Sequence, residues 1–411
     1  MKKISIIGGG IIGLSTAYYL SKDGYEVTVF DSTNLSDGCS YGNAGMIVPS
    51  HIIPLAQPGM IAQGIKWMFD SQSPFYVRPR LSMEFLKWGL QFYKFATPQH
   101  VAKSMPALRD LSLLSKELYQ DLDRQGGDFF YEEKGLLMLF KTDKVAEDIH
   151  HEGHLAQDLG LEVDFLSKDE VTKLETGTKT DVIGAVHYRS DAHLYPQKFM
   201  AFLKNELVKN KVIIQGNTKV SDFVVSNGKV NELITNQGNF DTDEVVIASG
   251  SWSPQITKKL GTSLSILPGK GYSFTLENQS QKPSIPSILC EGKVAVTPMS
   301  GDIRFGGTME ITHTKDTKIN QNRLQGIVNS INEFYPDLNI QRPKETDTWY
   351  GFRPCTPSGM PIIARDKRLS NVTLATGHAM MGLSLAPATG KLVSEMMTDK
   401  KLSVDIGMFQ V

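Results

Sequence analysis

The chain has 411 residues, 40% of them hydrophobic, which is enough to bury a large core and by length alone indicates two domains or more. Lys and Arg total 43 against 44 for Asp and Glu, so there is no basic excess to neutralise a phosphate backbone, and nucleic acid is not expected as a partner. The three cysteines are far apart and lack metal-ligand spacing, which indicates a reducing compartment with neither disulfides nor a metal site.

The first 31 residues predict a strand, a helix and a second strand. The first strand ends near Ile7, the helix runs from about Ile11 to Lys22 before Gly24, and the second strand covers residues 26–30. The same segment imitates a signal peptide, but glycines break its apolar run and no small-residue cleavage site follows. We therefore expect neither a signal peptide nor a transmembrane segment.

Three glycines follow the first strand with the spacing GxGxxG. Gly8, Gly10 and Gly13 permit a tight turn, close approach of the backbone to a pyrophosphate, and close packing of helix on strand. The N–H groups at the helix N-terminus would face the phosphates, and Asp31 would bind a ribose hydroxyl. The unit predicts a dinucleotide site without distinguishing NAD from FAD. The alternative is a plain turn with Asp31 as a strand-end cap.

The remaining elements indicate an interleaved chain. Residues 104–125 predict a helix with leucines along one face, ended by the glycine pair at 126–127. The C-terminal segment 372–397 predicts a strand, a glycine-containing turn and a helix, which returns the chain to a nucleotide-type layer. A strand-rich domain is therefore inserted between the ends, with strands predicted at residues 135–140, 212–220, 230–235 and 244–250.

Six motifs occur in an order that resembles the glycine oxidase and D-amino acid dehydrogenase family over nearly the whole chain. They are the GxGxxG unit, "SYGNAGM" (40–46), "VVIASGSWS" (245–253), "RFGGTMEI" (304–311), "GFRPCTPSGMPII" (351–363) and "ATGHAMMGLSLAPATGKL" (375–392). The sequence looks most similar to bacterial D-amino acid and D-hydroxyproline dehydrogenases. The resemblance implies FAD rather than NAD. It also implies non-covalent binding, because Cys355 does not fall where the related sarcosine oxidases attach their flavin.

The resemblance implies an α/β fold in which a Rossmann-like FAD-binding domain is interleaved with a β-rich substrate-binding domain. The approximate boundaries of the FAD-binding domain are residues 1–50, 85–125, 190–262 and 355–411. Those of the substrate-binding domain are residues 51–84, 126–189 and 263–354.

The segment 40–46 has almost no side-chain bulk, and we interpret its glycines as relief of crowding against the flavin. An ordinary turn is the alternative. A helix beginning near Gly382 would direct N–H groups at the reduced flavin, with His378 either at the flavin edge or as a hydrogen-bonded structural residue, but not as a base. The predicted cofactor-binding residues are Gly8, Gly10, Ile12, Gly13, Asp31, Ser32, Ser40, Asn43, Ala44, Gly45, Met46, Val220, Ser249, Gly250, Trp252, Gly377, His378, Met381, Gly382, Leu383 and Ser384.

For the substrate, Arg353 resembles the carboxylate-binding arginine of the family, and its planar guanidinium can bind a carboxylate bidentately. Arg304 is the second candidate for this role. The predicted pocket wall consists of Tyr350, Tyr272 and Met309. Ala295 stands roughly where glycine oxidase has a pocket tyrosine, which predicts a wider pocket and argues against glycine as the substrate.

The reaction implied is oxidative deamination of a D-amino acid or cyclic D-imino acid. Hydride leaves the α-carbon for flavin N5, and the imino product is hydrolysed to a 2-oxo acid or remains cyclic. No acid–base pair is required if the amine enters neutral, and no hydrolase or metalloenzyme motif is present. The alternatives are a glycine or sarcosine-type oxidase that uses oxygen, an NAD-linked dehydrogenase, and a non-catalytic flavoprotein subunit that relays electrons.

Residues 46–69 carry three prolines and many large apolar groups. We expect either a lid over flavin and substrate or, with less weight, a patch that rests on the inner face of the membrane to meet quinone. Trp67, Met68 and Phe69, close behind Lys66, would suit such an anchor. The expected location is the cytoplasm, with or without this peripheral contact. The sequence leaves open the particular amino acid, the choice of oxygen or quinone, and the oligomeric state.

Overall fold

The computed structural model describes residues 1–68, 72–77, 82–398 and 400–411. The helices in these ranges are α1 (Ile11–Lys22), α2 (Met60–Met68), α3 (Met83–Phe95), α4 (Pro98–Arg124), α5 (Asp143–Asp158), α6 (Lys168–Leu174), α7 (Pro196–Lys209), α8 (Ser253–Lys259), α9 (Gln321–Phe334) and α10 (Gly382–Met397).

The strands in the same ranges are β1 (Lys3–Ile7), β2 (Glu26–Phe30), β3 (Met46–Ile47), β4 (Phe75–Val77), β5 (Leu136–Phe140), β6 (Val163–Ser167), β7 (Gly184–Tyr188), β8 (Ala192–His193), β9 (Ile213–Gln215), β10 (Val220–Ser226), β11 (Lys229–Thr235), β12 (Gly238–Asp241), β13 (Glu244–Ile247), β14 (Leu267–Leu276), β15 (Ser287–Leu289), β16 (Val294–Met299), β17 (Asp302–Ile311), β18 (Trp349–Cys355), β19 (Ile362–Arg365) and β20 (Val372–Thr376).

A six-stranded sheet, in the order β19-β20-β13-β1-β2-β9, forms the nucleotide-type layer. β1 pairs in parallel with β2 and β13, so that Ile7 lies opposite both Phe30 and Ile247. β20 continues the parallel set beside β13. The carboxyl ends of these four strands meet at one edge, which is where open α/β sheets bind their ligands. The predicted unit of β1, α1 and β2 and the predicted return of the chain at β20 and α10 are confirmed.

Helices α1, α4, α7 and α10 bury one apolar cluster against this sheet. Leu108, Leu111, Leu118 and Leu122 of α4 are buried as the leucine stripe predicts. The helix begins at Pro98, earlier than the predicted residue 104, because the Thr97 hydroxyl accepts a hydrogen bond from the His100 backbone N–H (3.2 Å) and proline suits a first helical position.

A second, larger sheet runs in the order β18-β14-β17-β16-β15-β5-β7-β6, with β4 added beside β17. Helix α9 packs beneath β15, β16 and β17 on a separate apolar cluster. Helix α5 packs on β5, β6 and β7. This is the strand-rich part of the chain that the sequence predicts between the two ends. The domain boundaries given above remain a prediction.

One strand prediction is wrong in its bounds. Residues 212–220 do not form one strand but divide between β9, at the edge of the six-stranded sheet, and the start of β10, in a small sheet with β11 and β12. The turn that separates them is made by Asn217, whose φ of 53° is left-handed, and by Thr218, whose N–H donates to the Asp31 carbonyl at 2.7 Å. The other three predicted strands are found as β5, β11 and β13, and β13 ends early at Ile247.

Candidate active site

A connected cavity of about 1340 Å³ runs from the carboxyl ends of β1, β2, β13 and β20 across one face of the larger sheet. It exceeds the roughly 300–1,000 Å³ that is usual for the pocket of one drug-sized ligand. The volume therefore suits a long cofactor together with a small substrate.

The glycine turn after β1 forms one end of this cavity. A Cβ on Gly13 would lie 1.9 Å from the Gly8 carbonyl oxygen, so this glycine permits the close packing of α1 on β1. A Cβ on Gly10 would meet no atom closer than the Ser40 hydroxyl oxygen at 3.6 Å, so this position opens directly into the cavity. The turn is therefore a backbone cradle whose space a side chain would fill, which fits an extended diphosphate.

Asp31 orders this turn and also lines the cavity. Its Oδ2 accepts a hydrogen bond from the Gly9 N–H (2.7 Å), and its Oδ1 accepts from the Thr33 N–H (2.8 Å) and hydroxyl (2.9 Å). A carboxylate has about four acceptor sites, so capacity remains for a ribose hydroxyl. The strand-end role and the ligand role that the sequence left as alternatives are compatible.

Ser40 caps helix α1 from a distant point in the sequence. Its hydroxyl accepts a hydrogen bond from the Ile11 N–H at 2.9 Å, because Gly10 at the cap position has no side chain to do so. In the same loop, the Asn43 Oδ1 accepts from the Gly45 N–H at 2.9 Å. The loop is therefore fixed by its own polar side chains while it lines the cavity.

The glycines of this loop relieve crowding by the protein's own groups. A Cβ on Gly42 would lie 2.0 Å from the Trp349 indole, and a Cβ on Gly45 would lie 2.3 Å from the Leu194 carbonyl oxygen. The packing of the protein itself thus requires both glycines, and the interpretation that they make room for the flavin stays a prediction. Trp349 lines the cavity and was missed by the sequence analysis, although Gly351, whose Cβ would lie 2.0 Å from the same indole, is a signal for it.

Most of the predicted cofactor-binding residues lie along this cavity. Gly13 and Gly45 do not line it, for the packing reasons given above, and Gly377 (φ 77°) forms the turn after β20. The lining residues among them are Gly8, Gly10, Ile12, Asp31, Ser32, Ser40, Asn43, Ala44, Met46, Val220, Ser249, Gly250, Trp252, His378, Met381, Gly382, Leu383 and Ser384.

The N-terminus of α10 reaches the cavity beside His378. Burial lowers the pKa of His378 to about 3, so the imidazole is neutral at physiological pH. Its Nε2 lies 2.9 Å from the Thr389 hydroxyl. The histidine is thus a hydrogen-bonded residue at the cavity wall rather than a base, and the helix N-terminus beside it directs positive partial charge into the cavity.

Arg353 on β18 brings a cation to the part of the cavity that the larger sheet forms. Its guanidinium lies over Gly271 of β14, where a Cβ would be 2.1 Å from Nη1, and Nη1 donates to the Thr308 carbonyl. Burial lowers the pKa of this guanidinium below its ordinary value, but the group stays charged. Within the described residues no carboxylate forms an ion pair with it. A cation in this position is costly unless an anion from outside the chain pairs with it.

Of the three residues predicted to form the pocket wall, Met309 keeps this role, whereas Tyr272 and Tyr350 have other packing. Met309 lines the cavity as predicted. Tyr272 also lines it, but its ring belongs to the cluster packed on α9, and its hydroxyl donates to Glu310 and accepts from the Asn320 N–H. Tyr350 does not line the cavity; its side chain packs against the apolar cluster on α9.

Arg304 is not placed to bind a substrate. It is buried outside the cavity lining, its Nη1 donates to the Tyr41 and Asn43 carbonyls at 2.8 and 2.9 Å, and its Nε donates to the Thr275 hydroxyl at 3.0 Å. The second candidate for the carboxylate is therefore corrected: this arginine ties the glycine loop to the larger sheet.

The segment 46–69 divides into two parts. Residues 46–53 include the buried Met46, Ile47, Val48 and Ile52, and the chain continues along the cavity as far as Gln63. This half is a wall of the site. In α2, by contrast, Ile61 and Ile65 are exposed. Phe69 and the side chains of Trp67 and Met68 fall outside the described residues.

A buried carboxyl supports this wall from behind. Asp191 accepts hydrogen bonds from the Ser50 hydroxyl (2.5 Å) and N–H (3.0 Å), and burial raises the pKa of Asp191 to about 7. The Ser50 hydroxyl also lies 3.2 Å from Nδ1 of His51, a cavity-lining residue. Burial, with a smaller effect of the nearby Lys293 charge, lowers the pKa of His51 to about 4.

No group of three or more potential ligands within the described part of the chain could hold a metal ion. In the same ranges no helix is both long enough and apolar enough to cross a membrane.

The family model for FAD-dependent oxidoreductases (DAO) matches residues 3–396. A D-amino acid dehydrogenase of Granulibacter bethesdensis is 30% identical over 98% of this chain and 97% of its own length. One from Helicobacter pylori is 28% identical over 99% of this chain and 98% of its own length. Glycine oxidase from Geobacillus kaustophilus has the same fold, with a TM-score of 0.75 at 24% identity over 100% of this chain and 98% of that one. The chain belongs to the DAO family of FAD-dependent oxidoreductases.

The chain is therefore an oxidoreductase whose cofactor is FAD. The site fits this cofactor: a cradle open at Gly10, an acid with spare acceptor capacity at Asp31, and a helix N-terminus at Gly382 all face one elongated cavity. The fit extends the prediction made from the glycine turn alone, and the family match removes the NAD alternative.

Proposed function

We propose that this enzyme oxidises a D-amino acid or cyclic D-imino acid at its α-carbon, with Arg353 binding the substrate carboxylate. The observation that carries the proposal is the Arg353 guanidinium, which faces the FAD-sized cavity without a carboxylate partner among the described residues. The similarity to two D-amino acid dehydrogenases over nearly the whole chain supports the same substrate class.

FAD, when bound, supplies the two-electron acceptor for hydride from the α-carbon. The chain would hold it through the Gly8 to Gly10 turn, Asp31 and the N-terminus of α10. Arg353 would fix the carboxylate, and Met309 and Trp349 would restrict how the rest of the substrate lies. The binding is proposed to be non-covalent. Cys355 is fully buried, and its thiol lies beside the Arg353 carbonyl at 3.4 Å.

The proposed reaction does not require a general base from the protein. His378 is neutral and bonded to Thr389, so we do not assign it a base role. A substrate whose amine enters neutral needs no general base, and the imino product is hydrolysed in water. The contribution of the protein is orientation of the substrate and placement of positive charge near the cofactor.

The test is an anaerobic absorbance titration of the purified holoprotein with matched D- and L-amino acids, including alanine, proline and hydroxyproline. We expect the oxidised flavin band to bleach with D-enantiomers, and L-enantiomers serve as the control. Bleaching with none of them would favour the electron-relay subunit, which needs a partner chain to deliver electrons. Bleaching with glycine or sarcosine, followed by rapid reoxidation in air, would favour the oxidase alternative.

Ala295 argues against that oxidase alternative. It lines the cavity on β16, where the resemblance places a tyrosine in glycine oxidase, and its methyl group supplies no hydroxyl for a small substrate. A wider pocket binds glycine poorly because less of its volume is filled. A substrate with a side chain is therefore favoured.

We propose further that a lipid surface covers helix α3 and that quinone is the electron acceptor. Four side chains on one side of α3 are exposed, by 66%, 50%, 65% and 69%: Met83, Leu86, Leu90 and Tyr93. Their spacing places them on one stripe, while Trp88 and Phe92 pack inward. Lys87 and Lys94 stand three or four residues from stripe members and would meet anionic headgroups.

Sedimentation with vesicles of phosphatidylglycerol and phosphatidylethanolamine tests this proposal. Replacing Leu86, Leu90 and Tyr93 with serine should release the protein while activity with a soluble dye stays unchanged. The matched control replaces the exposed Val208, Val224 and Val225 with serine and should still sediment. A native protein that never sediments, or a stripe variant that only changes from dimer to monomer, would contradict the membrane contact.

A further inference from the structure

We infer that Thr308 is a second residue that binds the substrate carboxylate, with its hydroxyl donating a hydrogen bond to the carboxylate that Arg353 holds. The inference rests on the proposed role of Arg353, and it adds a neutral donor beside the cation. It also gives a reason for a strained backbone at the same residue.

The first argument is a bulge in the larger sheet. The pairing of β14 with β17 shifts register by one residue, so that Gly271 alone lies opposite both Thr308 and Met309. Two residues facing one define a β-bulge, which interrupts the ladder of hydrogen bonds and redirects side chains. The Arg353 guanidinium lies over this same Gly271 and donates to the Thr308 carbonyl. The bulge therefore lies directly beside the cation that is proposed to bind the substrate.

The second argument is the direction of the side chains around the bulge. Before it, Ile303 and Phe305 of β17 pack in the apolar cluster on α9. After it, Met309 and Ile311 pack in a different cluster under α3, and Met309 lines the cavity. Since these four positions differ by even numbers, a regular strand would place them all on one face. The bulge thus changes which face of β17 is turned toward the cavity, and Thr308, where the change occurs, lines the cavity as well.

The third argument is the backbone of Thr308. Its φ of 66° is in the left-handed region, and glycine normally occupies the left-handed position of such a bulge. A β-branched side chain is strained there, because its Cβ crowds the backbone. A glycine would relieve this strain and still present the same carbonyl to Arg353. The reason for a strained threonine must therefore lie in its side chain.

The fourth argument is the hydroxyl itself. Among the described residues, the Thr308 hydroxyl has no hydrogen-bond partner. Thr308 is only 6% exposed, yet its oxygen is not fully enclosed, in contrast to the unpartnered Oγ1 of Thr297 on β16. The open side of Thr308 is the cavity that it lines. When a substrate displaces water from this position, the hydroxyl is left unpaired unless the substrate accepts its hydrogen bond.

The distances allow one carboxylate to contact both groups. The Thr308 carbonyl oxygen lies 2.5 Å from Arg353 Nη1. Within one residue the hydroxyl lies no more than about 4.5 Å from the carbonyl oxygen, so that Oγ1 and Nη1 are at most about 7 Å apart. The two oxygens of a carboxylate are about 2.2 Å apart, and with a hydrogen bond of about 2.8 Å on each side they span about 7–8 Å. A carboxylate held by Arg353 can therefore accept from Thr308 as well.

Substitutions at Thr308 separate the hydroxyl from the strain. Thr308→Val has nearly the same shape and keeps the strain but lacks the hydroxyl. We expect it to lower kcat/KM of the holoenzyme by about tenfold or more, measured with a dye acceptor and with D-alanine or D-proline, whichever reduces the flavin faster. Thr308→Ser keeps the hydroxyl and should stay within about threefold of the native value.

Thr308→Gly should lose as much activity as Thr308→Val but unfold at a higher urea concentration, because glycine is not strained at this φ. The matched control is Thr297→Val, which removes a hydroxyl from the neighbouring strand β16 outside the cavity lining. It should keep the native kinetics.

A binding measurement separates recognition from turnover. Calorimetry of the holoenzyme with 2-aminoisobutyrate, which has no α-hydrogen and cannot be oxidised, should show binding that weakens about tenfold in Thr308→Val. Thr308→Ser and Thr297→Val should bind it as the native enzyme does.

Four results would overturn the inference. They are native kinetics and binding in Thr308→Val, an equal loss in Thr308→Ser, loss of FAD from Thr308→Val, which would assign the hydroxyl to the cofactor, and no gain in stability of Thr308→Gly over Thr308→Val. If Arg353→Met impairs oxidation but Thr308→Val does not, this inference alone fails. If no D-amino acid reduces the flavin, the proposed function fails with it.

Discussion

The two ends of the cavity are built in different ways. At the nucleotide end, the glycine turn, α1 and Asp31 come from one stretch of 31 residues, and adjacent residues in the sequence are adjacent in space. At the other end, Arg353 on β18 meets Gly271 on β14 and Thr308 on β17, which are far apart in the chain. The first end is a local motif, whereas the second depends on how a mixed sheet is paired.

The largest effect is expected at the nucleotide end. Gly10→Val should abolish FAD retention, because the added side chain would occupy the space where the backbone faces the cavity. The fold should persist, since a Cβ there meets nothing within 3.6 Å. Flavin absorbance after gel filtration, with circular dichroism for folding, measures both. Gly89→Ala, at a helical glycine with no atom within 4 Å of its Cβ position, is the control and should keep its flavin.

Substitutions of Arg353 should reduce activity without loss of FAD. Arg353→Met should lower kcat/KM by about two to four kcal/mol, roughly thirty- to a thousandfold, with the flavin spectrum nearly intact. Arg353→Lys should recover only part of this, because an ammonium lacks the planar fork.

Arg342→Met, at an exposed arginine, is the control and should behave as the native enzyme does. Steady-state kinetics with a D-amino acid and a dye acceptor measure this effect. If Arg353→Met were as active as the native enzyme, Arg353 would not bind the substrate carboxylate.

Asp191, the buried carboxyl behind the wall formed by residues 46–53, should make the free energy of unfolding depend on pH. The pKa of Asp191 is raised to about 7 by burial, so the folded state favours the protonated carboxyl. This contribution is fully present below the ordinary pKa of aspartate, near 4, and is lost as the pH rises to about 7, at up to about 1.4 kcal/mol per pH unit. Asp191→Asn, which cannot ionise, should flatten this decline.

Urea denaturation at pH 5, 6, 7 and 8 measures the slope for Asp191. Asp181→Asn is a suitable control, because the pKa of Asp181 is lowered by its hydrogen bond with Lys141 rather than raised. Equal slopes in the native protein and in Asp191→Asn would show that another group titrates in this range.

The smallest effect is expected on stability, at the contact between Gly42 and Trp349. Gly42→Ala should destabilise the protein by about one to three kcal/mol, because the new methyl group would enter the Trp349 indole. In a Trp349→Ala background the same change should cost much less, since all three of the nearest atoms belong to that side chain. A double-mutant cycle on thermal unfolding measures the coupling, and additive effects would mean that the loop shifts instead.

The sequence predicts the local glycine motif well and the paired strands around Arg353 poorly. The bounds of β1, α1 and β2 are read correctly from periodicity and glycine, whereas the substrate role of Arg353 comes from family resemblance and stays a prediction. Local periodicity does not predict which side chains of β18 face the cavity, because that depends on how the strands pair. Tyr350 was therefore expected at the cavity, where Trp349 lies instead, and the role of Arg304 depends on carbonyls more than 250 residues earlier in the chain.

The cap that Ser40 provides for α1 has a consequence for folding and for protein engineering. The first turn of the helix is completed by a loop whose position depends in turn on Arg304 and Trp349 from the larger sheet. A fragment that contains the glycine motif but lacks that sheet would have a frayed helix start and a loop without support. The nucleotide end is thus local in sequence but not autonomous. Grafting it onto another scaffold would require the distant arginine and tryptophan as well.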